Sequence, residues 1–213
     1  GGQFDTTPTR DGATGGLSAE PWTRQSEPLP QLSMNSMRFT AMNFTEQGIG
    51  EKYDLNPPYQ RGAVWTDEQR RDLIRSLLSG VPIGTVVTNK RSYNTAENIR
   101  VFGSPQIYSV IDGKQRIETI QAFTRDELST PADWWEDRAL DPSGVSSDGT
   151  VKFSGLTDYG QITFNMLPIP TEVAQVRSLR AEAEIFRLIN TGGTDQTDED
   201  IARAASIEGA RNG

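Results

Sequence analysis

Residues 107–116 read IYSVIDGKQR, and this stretch carries the strongest secondary-structure signal in the chain. Its first five residues are mostly apolar and β-favouring, which predicts a buried strand that runs directly into Asp112-Gly113. Behind this turn, apolar residues recur at the spacing of a helix, at Ile117, Ile120 and Phe123. The stretch therefore predicts a unit of strand, glycine turn and helix.

The clearest helix outside this unit is predicted for residues 67–79. Thr66 is a good N-cap residue, and Gln69, three residues later, completes a capping box. Gly80 supplies a C-terminal stop, and the apolar face consists of Leu73, Ile74, Leu77 and Leu78. These signals predict an amphipathic helix.

The remaining segments mix strands, helices and irregular stretches. Apolar patterning predicts strands at residues 38–44, 53–56, 84–88 and 161–166, and helices at residues 172–190 and 198–206. We expect a flexible arm over residues 1–37, a polar loop or hairpin over 89–105, and an irregular insertion with one short helix over 129–160. This order predicts a single α+β or α/β domain over residues 38–213.

The chain contains no cysteine and no histidine, which excludes several classes of site. A disulfide, a Cys nucleophile, a Cys/His zinc site, a Ser-His-Asp triad and an HNH nuclease site are all impossible in this sequence. Catalysis would have to use carboxylates, Lys, Arg, amides, hydroxyls, backbone N–H groups or a hard cation. Without cysteine, a secretory signal or an apolar run of about 18 residues, we expect a cytoplasmic protein and no membrane partner.

The net charge of −8 is unevenly distributed along the chain. Residues 131–213 hold seven basic and fourteen acidic side chains, whereas residues 41–130 hold eleven of each. A bulk acidic balance favours solubility and disfavours non-specific affinity for nucleic acid. It says less about a local site in the neutral middle of the chain.

The turn within IDGKQR is a candidate phosphate site. Gly113 lets the backbone approach a ligand closely, and the N–H groups of Lys114, Gln115 and Arg116 would face that ligand. The side chains of Lys114 and Arg116 add positive charge, and Asp112 can hold a metal-bound water or act as a base. The alternative is a tight turn with Asp112 as N-cap and solvated basic side chains.

Two further segments carry weaker signals of the same kind. Residues 58–65, PYQRGAVW, precede the first helix, and the planar guanidinium of Arg61 suits either a phosphate or a core carboxylate. Residues 190–194, NTGGT, are either a helix C-cap with a double-glycine stop or a backbone nest near the same ligand.

Taken in order, these motifs make the chain resemble a known family. QRGxVW, an amphipathic helix, GVPIGTVV, YSVIDGKQR and LINTGG are similar to the DGQQR-motif domain at the N-terminus of GmrSD-type restriction enzymes. The resemblance covers roughly residues 50–125 and 160–205. It implies a ParB/sulfiredoxin-like fold, with a small mixed sheet flanked by helices, in a stand-alone phage or bacterial member, which if phage-encoded would act in the host cytoplasm.

The resemblance also implies a nucleotide-handling site. The matching residues are Asp112, Gly113, Gln115 and Arg116 in the DGQQR loop, Gln60 and Arg61 in the QR pair, and Asn190, Gly192 and Gly193 in the loop that closes the site. Lys114 stands where the family has its first Gln, which favours phosphate binding over a water-positioning role. Restriction-type members carry an HNH-like nuclease domain downstream, so we expect a cutting or modifying enzyme on another chain or elsewhere in the gene product.

The main expectation is therefore an NTPase or kinase acting in DNA modification, restriction or sensing. It would bind ATP, GTP, CTP or UTP with Mg²⁺, and its catalytic groups would be Asp112, Gln115, Arg116 and Glu118, the last as a second candidate base. One alternative is a non-catalytic ParB-like module that binds DNA or a protein partner. Another is an inhibitor that presents the acidic last third to a DNA-binding partner.

Overall fold

The structure, a computed structural model, describes residues 32–46, 48, 52–60 and 64–191. The strands in this part of the chain are β1 Met34–Thr40, β2 Tyr53–Asp54, β3 Val86–Lys90, β4 Tyr108–Asp112, β5 Thr130–Pro131, β6 Thr150–Val151 and β7 Pro168–Ala174. The α-helices are α1 Asp67–Leu78, α2 Thr95–Phe102, α3 Lys114–Thr124, α4 Asp158–Asn165 and α5 Leu179–Thr191. The helix predicted for 198–206 and most of the arm predicted for 1–37 lie outside the described residues.

The predicted unit of strand, glycine turn and helix is confirmed as β4, Gly113 and α3. Gly113 has φ +95°, a left-handed conformation that glycine adopts without steric cost. Ile117, Ile120 and Phe123 are each 0% exposed, so the predicted apolar face is the face that meets the core.

Strand β4 lies in a five-stranded sheet of order β1-β7-β3-β4-β2. β1 is antiparallel to β7 and β3 is antiparallel to β4, whereas β7 and β3, like β4 and β2, run parallel. β5 and β6 form a separate two-stranded sheet. A mixed sheet combined with helices confirms the α+β class.

Helices cover both faces of the main sheet. Successive residues of a strand point to opposite faces, and Val86 and Val110 pack with apolar side chains of α1 and α3. Their neighbours Val87 and Ile111 pack instead with apolar side chains of α2 and α5. The structure thus has the small mixed sheet with flanking helices that the motifs led us to expect.

The helix predicted for residues 67–79 is confirmed as α1, with the predicted capping box. The Thr66 hydroxyl accepts a hydrogen bond from the Gln69 N–H at 3.3 Å, and the Gln69 side chain accepts one from the Thr66 N–H at 2.9 Å. Each bond satisfies a backbone donor at a helix start that has no partner within the helix.

Replacing Thr66 with alanine should therefore lower the free energy of unfolding by about 1 kcal/mol. The measurement is urea denaturation followed by circular dichroism. Thr66→Ser is the matched control, because a serine hydroxyl accepts the same bond and should keep wild-type stability to within a few tenths of a kcal/mol. Equal losses in both variants would show that the hydroxyl is not the stabilising group.

The loop or hairpin predicted for residues 89–105 is wrong, because α2, Thr95–Phe102, forms its central part. Asn94 caps the helix by accepting hydrogen bonds from two backbone N–H groups, and Gly103 ends it with φ +74°. The helix buries only Asn98 and Phe102, so its apolar periodicity is too weak to show in the sequence.

The strand predicted for residues 161–166 is also wrong, because these residues belong to α4 up to Asn165. The hydroxyl of Thr157 caps this helix, and the apparent alternation arises from Phe164, which is buried, and Ile162, which is 63% exposed. The strand is β7, directly behind it. The helix predicted for 172–190 consequently begins later, at Leu179.

Three smaller predictions need adjustment: the arm at 1–37, the strand at 38–44 and the insertion at 129–160. The strand predicted for 38–44 begins at Met34, inside the predicted arm, and its last four residues form a 3-10 helix, Ala41–Phe44. The insertion at 129–160 is largely irregular, as expected. It holds β5, β6 and the 3-10 turns Ala132–Trp134, Asp137–Ala139, Pro142–Gly144 and Phe153–Gly155, and the short helix α4 begins only at its end, at Asp158.

The insertion also contributes to the core. The rings of Trp135, Phe153 and Phe164 surround Phe123 of α3 at centroid distances of 5.8, 5.8 and 4.8 Å. The segment is thus packed against α3 and α4. None of the helices in the described residues has the length and apolar character needed to cross a membrane.

Candidate functional site

Two glycines make room for the Arg116 side chain beneath the β4–α3 turn. A Cβ atom on Gly113 would lie 2.9 Å from Val86 Cγ2 and 3.0 Å from Arg116 Nη1. A Cβ atom on Gly84, whose φ is +79°, would lie 3.3 Å from Arg116 Nη2. The guanidinium therefore occupies a space that side chains at either glycine would restrict.

Arg116 closes the turn by joining the end of β4 to the residue that precedes β3. Its Nη1 donates a hydrogen bond to the Thr85 carbonyl at 2.8 Å and lies 3.5 Å from Asp112 Oδ2. Its backbone N–H donates to the Gly113 carbonyl at 3.0 Å. The prediction that this N–H faces a ligand is therefore wrong, and Lys114 and Gln115 remain as backbone donors of the first turn.

The charged side chains around the turn balance one another. Lys114 Nζ lies 2.5 Å from Asn56 Oδ1 and 3.7 Å from Glu118 Oε1, and Arg116 pairs with Asp112. The four charged groups, Asp112, Lys114, Arg116 and Glu118, therefore sum to zero. Their side chains are 18–30% exposed, so all four remain accessible to solvent or to a ligand.

Two glutamine side chains attach the segment before α1 to this turn. Gln60 Nε2 donates to the Ile111 carbonyl at 3.4 Å, and Gln115 Oε1 accepts from the Trp65 N–H at 3.1 Å. Gln60 Oε1 is buried and has no hydrogen-bond partner in the described part of the chain. The structure thus brings Gln60 and Gln115 to the turn, whereas Arg61 lies outside the described residues.

The end of α5 reaches the same neighbourhood from the other side. Phe186 packs against Tyr59, the residue before Gln60, with ring centroids 5.5 Å apart. Asn190 follows one turn later and donates from Nδ2 to the Phe186 carbonyl at 2.8 Å. Asn190 therefore lies within the helix rather than in the expected loop, and Gly192 and Gly193 lie outside the described residues.

A buried ionic network holds these segments together, and the sequence did not reveal it. Glu182 of α5 is 0% exposed and forms a bidentate pair with Arg91, from Nε and Nη2, both at 2.8 Å. Arg91 Nη1 also bonds to Asp54 Oδ2 at 3.0 Å. Asn89 and Tyr59 complete the shell, donating to Glu182 at 2.7 and 3.1 Å.

The protonation states follow from these contacts. Burial disfavours the charge of Arg91, but the hydrogen bonds and attraction of Glu182 and Asp54 outweigh it and raise the pKa of the guanidinium. For Tyr59, burial itself raises the pKa of the hydroxyl well above its ordinary value, and the charge of Glu182 raises that pKa further. Tyr59 is therefore a neutral donor to a charged pair.

The network links the two segments that carry candidate site residues. Tyr59 precedes Gln60, and Glu182 belongs to the helix that ends with Asn190. The sequence contains one signal of this buried network. Glu182 lies on the apolar face of α5, three residues after Leu179 and four before Phe186. A carboxylate on such a face needs a buried partner.

The fold and the site define an α+β domain in which a glycine turn between a strand and a helix gathers charged and amide side chains from the start of α3 and from the segment before α1. Residues 42–207 match the family model of the GmrSD restriction endonuclease, N-terminal domain, and the chain belongs to this family. Membership of this family links the chain to DNA restriction and modification systems. No curated protein and no solved structure matches the chain.

Proposed function

We propose that the β4–α3 turn binds the phosphates of a nucleoside triphosphate, and that the domain is an NTPase or kinase in DNA modification, restriction or sensing. The proposal rests on the convergence of Asp112, Lys114 and Arg116 on a glycine turn at a helix N-terminus. Helix N-termini favour phosphate through free N–H groups and the helix dipole. Phosphoryl transfer needs positioned cations more than covalent chemistry.

Lys114 is the side chain that meets the phosphates in this proposal. Arg116 already bonds to the Thr85 carbonyl, so it holds the turn closed and adds charge below the phosphates. The further nucleotide contacts we propose are Gln60, Arg61, Gly113, Asn190, Gly192 and Gly193. A buried acceptor such as Gln60 Oε1, with no partner among the described residues, fits a ligand that donates a hydrogen bond.

Magnesium belongs to this proposal because the four charged groups of the turn sum to zero. They cannot alone balance a triphosphate, and bound Mg²⁺ would neutralise phosphate charge. The described residues contain no cluster of three His, Cys, Asp or Glu side chains for a metal. The phosphates would mainly hold such an ion, and Asp112 would contact one of its bound waters, because Mg²⁺ in phosphate sites keeps several waters and few protein ligands.

The acceptor of the phosphoryl group is water in an NTPase and a hydroxyl group in a kinase. We assign Asp112 as the base that takes the acceptor proton, because among the described residues its carboxylate has only a long contact to Arg116 at 3.5 Å. Glu118 is the second candidate base and lies 3.7 Å from Lys114. The side-chain amide of Gln115 would orient the acceptor, while its oxygen accepts the hydrogen bond from the Trp65 N–H.

The test is calorimetric titration with ATP, GTP, CTP and UTP in the presence of Mg²⁺, followed by phosphate release with and without DNA. At least one nucleotide should bind and raise the melting temperature. Lys114→Ala should weaken its binding by about tenfold or more, because a charge-assisted hydrogen bond contributes about 1.5–3 kcal/mol. Arg116→Ala should weaken binding and also lower the melting temperature, because the turn loses its bond to Thr85.

Lys152→Ala is the matched control, since it removes an exposed lysine from the insertion and should leave binding unchanged. Lys114→Gln, which restores the DGQQR pattern, separates charge from shape and should bind more weakly than wild type. If none of the four nucleotides binds at millimolar concentration, the proposal fails. Steeply salt-dependent binding of duplex DNA without phosphate release would instead support a non-catalytic DNA-binding module.

A further inference from the structure

A cationic cleft lies at the end of β3 that is remote from the glycine turn. Its volume is about 280 Å³, and its lining residues are Lys90, Arg91, Ser92, Tyr93, Gln175 and Arg177. Three of these six side chains are cationic and none is acidic, in a chain whose net charge is −8. Because Arg91 is paired with Glu182 and Asp54, the positive charge that the cleft presents comes from Lys90 and Arg177, and its sign is opposite to that of the chain's net charge.

This cleft is separate from the proposed nucleotide site. In the sheet, Lys90 pairs with Tyr108 at the start of β4, whereas Val87 pairs with Asp112 at the glycine turn. Because each strand residue advances about 3.3 Å, the two positions are roughly 10 Å apart along β3. The two sites therefore lie toward opposite ends of β3.

The side chains of the cleft divide into a fixed floor and an open rim. Arg91 forms the floor, because its guanidinium is bonded to Glu182 and Asp54. On the rim, Lys90 Nζ lies 5.1 Å from the centroid of the Tyr93 ring. Tyr93 is 70% exposed, and Arg177 is exposed as well. A hydrogen bond with Tyr93 raises the pKa of Lys90, so its charge is retained.

We propose that this cleft binds an unpaired nucleotide of a nucleic-acid strand, with the phosphate between Lys90 and Arg177 and the base stacked on Tyr93. Proteins that bind single strands combine a cationic groove with exposed aromatic rings on which bases stack. An acidic peptide would use the two cations but would leave the exposed ring without a partner. The proposal goes beyond nucleotide binding at the glycine turn and does not depend on it.

The test is fluorescence polarisation of short labelled single strands, DNA and RNA of the same sequence, titrated with the full chain at several salt concentrations. Lys90→Gln/Arg177→Gln should weaken binding by about tenfold or more and reduce the salt slope by about 0.7, the value for one phosphate neutralised on a single strand. Tyr93→Ala should weaken binding by at least about fivefold at an unchanged salt slope. Tyr93→Phe keeps the ring and should bind nearly as wild type does.

Two controls separate this proposal from the nucleotide site and from general charge. Lys152→Gln removes an exposed cation outside the cleft and should leave the affinity within about twofold of wild type. Lys114→Ala should also retain strand binding, even if nucleotide binding is lost. The proposal is overturned if wild type binds neither strand, if the double variant binds equally well, or if Tyr93→Ala has no effect, which would indicate a general polyanion site.

Discussion

Replacing Arg91 with methionine should lower the free energy of unfolding by about 3–5 kcal/mol, the usual cost of breaking a buried ion pair from one side. Glu182 is 0% exposed, and both of its oxygens accept hydrogen bonds from Arg91 at 2.8 Å. Without the guanidinium, this carboxylate stays buried with only the neutral donors Asn89 and Tyr59. Methionine retains an apolar contact for Phe102, which now lies 4.4 Å below the guanidinium.

Urea denaturation of Arg91→Met, Glu182→Met and the double variant measures this effect as a double-mutant cycle. Because apolar side chains of similar volume often replace a buried ion pair at little cost, the double variant should be more stable than Arg91→Met alone. Natural domains are stable by only about 5–15 kcal/mol, so the single variant should lose between about a fifth of its stability and all of it. A loss below about 1 kcal/mol would show that the pair behaves like an exposed one.

Local signals account for the parts of the fold that could be predicted. In α1, the cap, the apolar face and the glycine stop all lie within 15 residues of sequence, 66–80, and each is present in the structure. The same holds for β4, Gly113 and α3, where strand, turn and helix are adjacent. Elements with consistent local signals are thus readable from sequence alone.

Strand β7 shows why other elements could not be predicted. Pro168 and Pro170 argue against a strand inside a sheet, because proline has no N–H to donate. In the structure, both prolines lie beside β1 only, and the pairing with β3 begins at Thr171. The prolines lie in the part of β7 that pairs with β1 but not with β3. The sequence cannot show this, because the pairing with β3 depends on residues about 80 positions away.

The candidate site likewise has a part that could be predicted from the sequence and a part that could not. The turn at Asp112-Gly113 could be found from its pattern, but the bond from Arg116 to the Thr85 carbonyl joins residues 31 positions apart. The pair of Arg91 and Glu182 spans 91 positions. A sequence shows which side chains need a partner, and the fold decides which partner each one meets.

Replacing Gly113 with alanine should destabilise the protein by about 2–5 kcal/mol and should abolish any binding at the glycine turn. One part, about 1–2 kcal/mol, is the cost of a left-handed conformation for a residue with a Cβ atom, here at φ +95°. The other, about 1–3 kcal/mol, comes from overpacking, because the new methyl would lie 2.9 Å from Val86 Cγ2 and 3.2 Å from Val86 Cα. The Val86 backbone belongs to β3 and cannot give way without disturbing the sheet.

Gly103→Ala is the matched control for this prediction. Gly103 ends α2 at φ +74°, and a Cβ atom there would meet nothing within 4 Å. It should therefore incur only the conformational cost of about 1–2 kcal/mol, with nucleotide binding intact. Thermal and urea denaturation of both variants separate the two contributions. Equal losses would mean that the contacts with Val86 and Arg116 relax freely, and that the turn is not the tightly packed support that the proposed phosphate site requires.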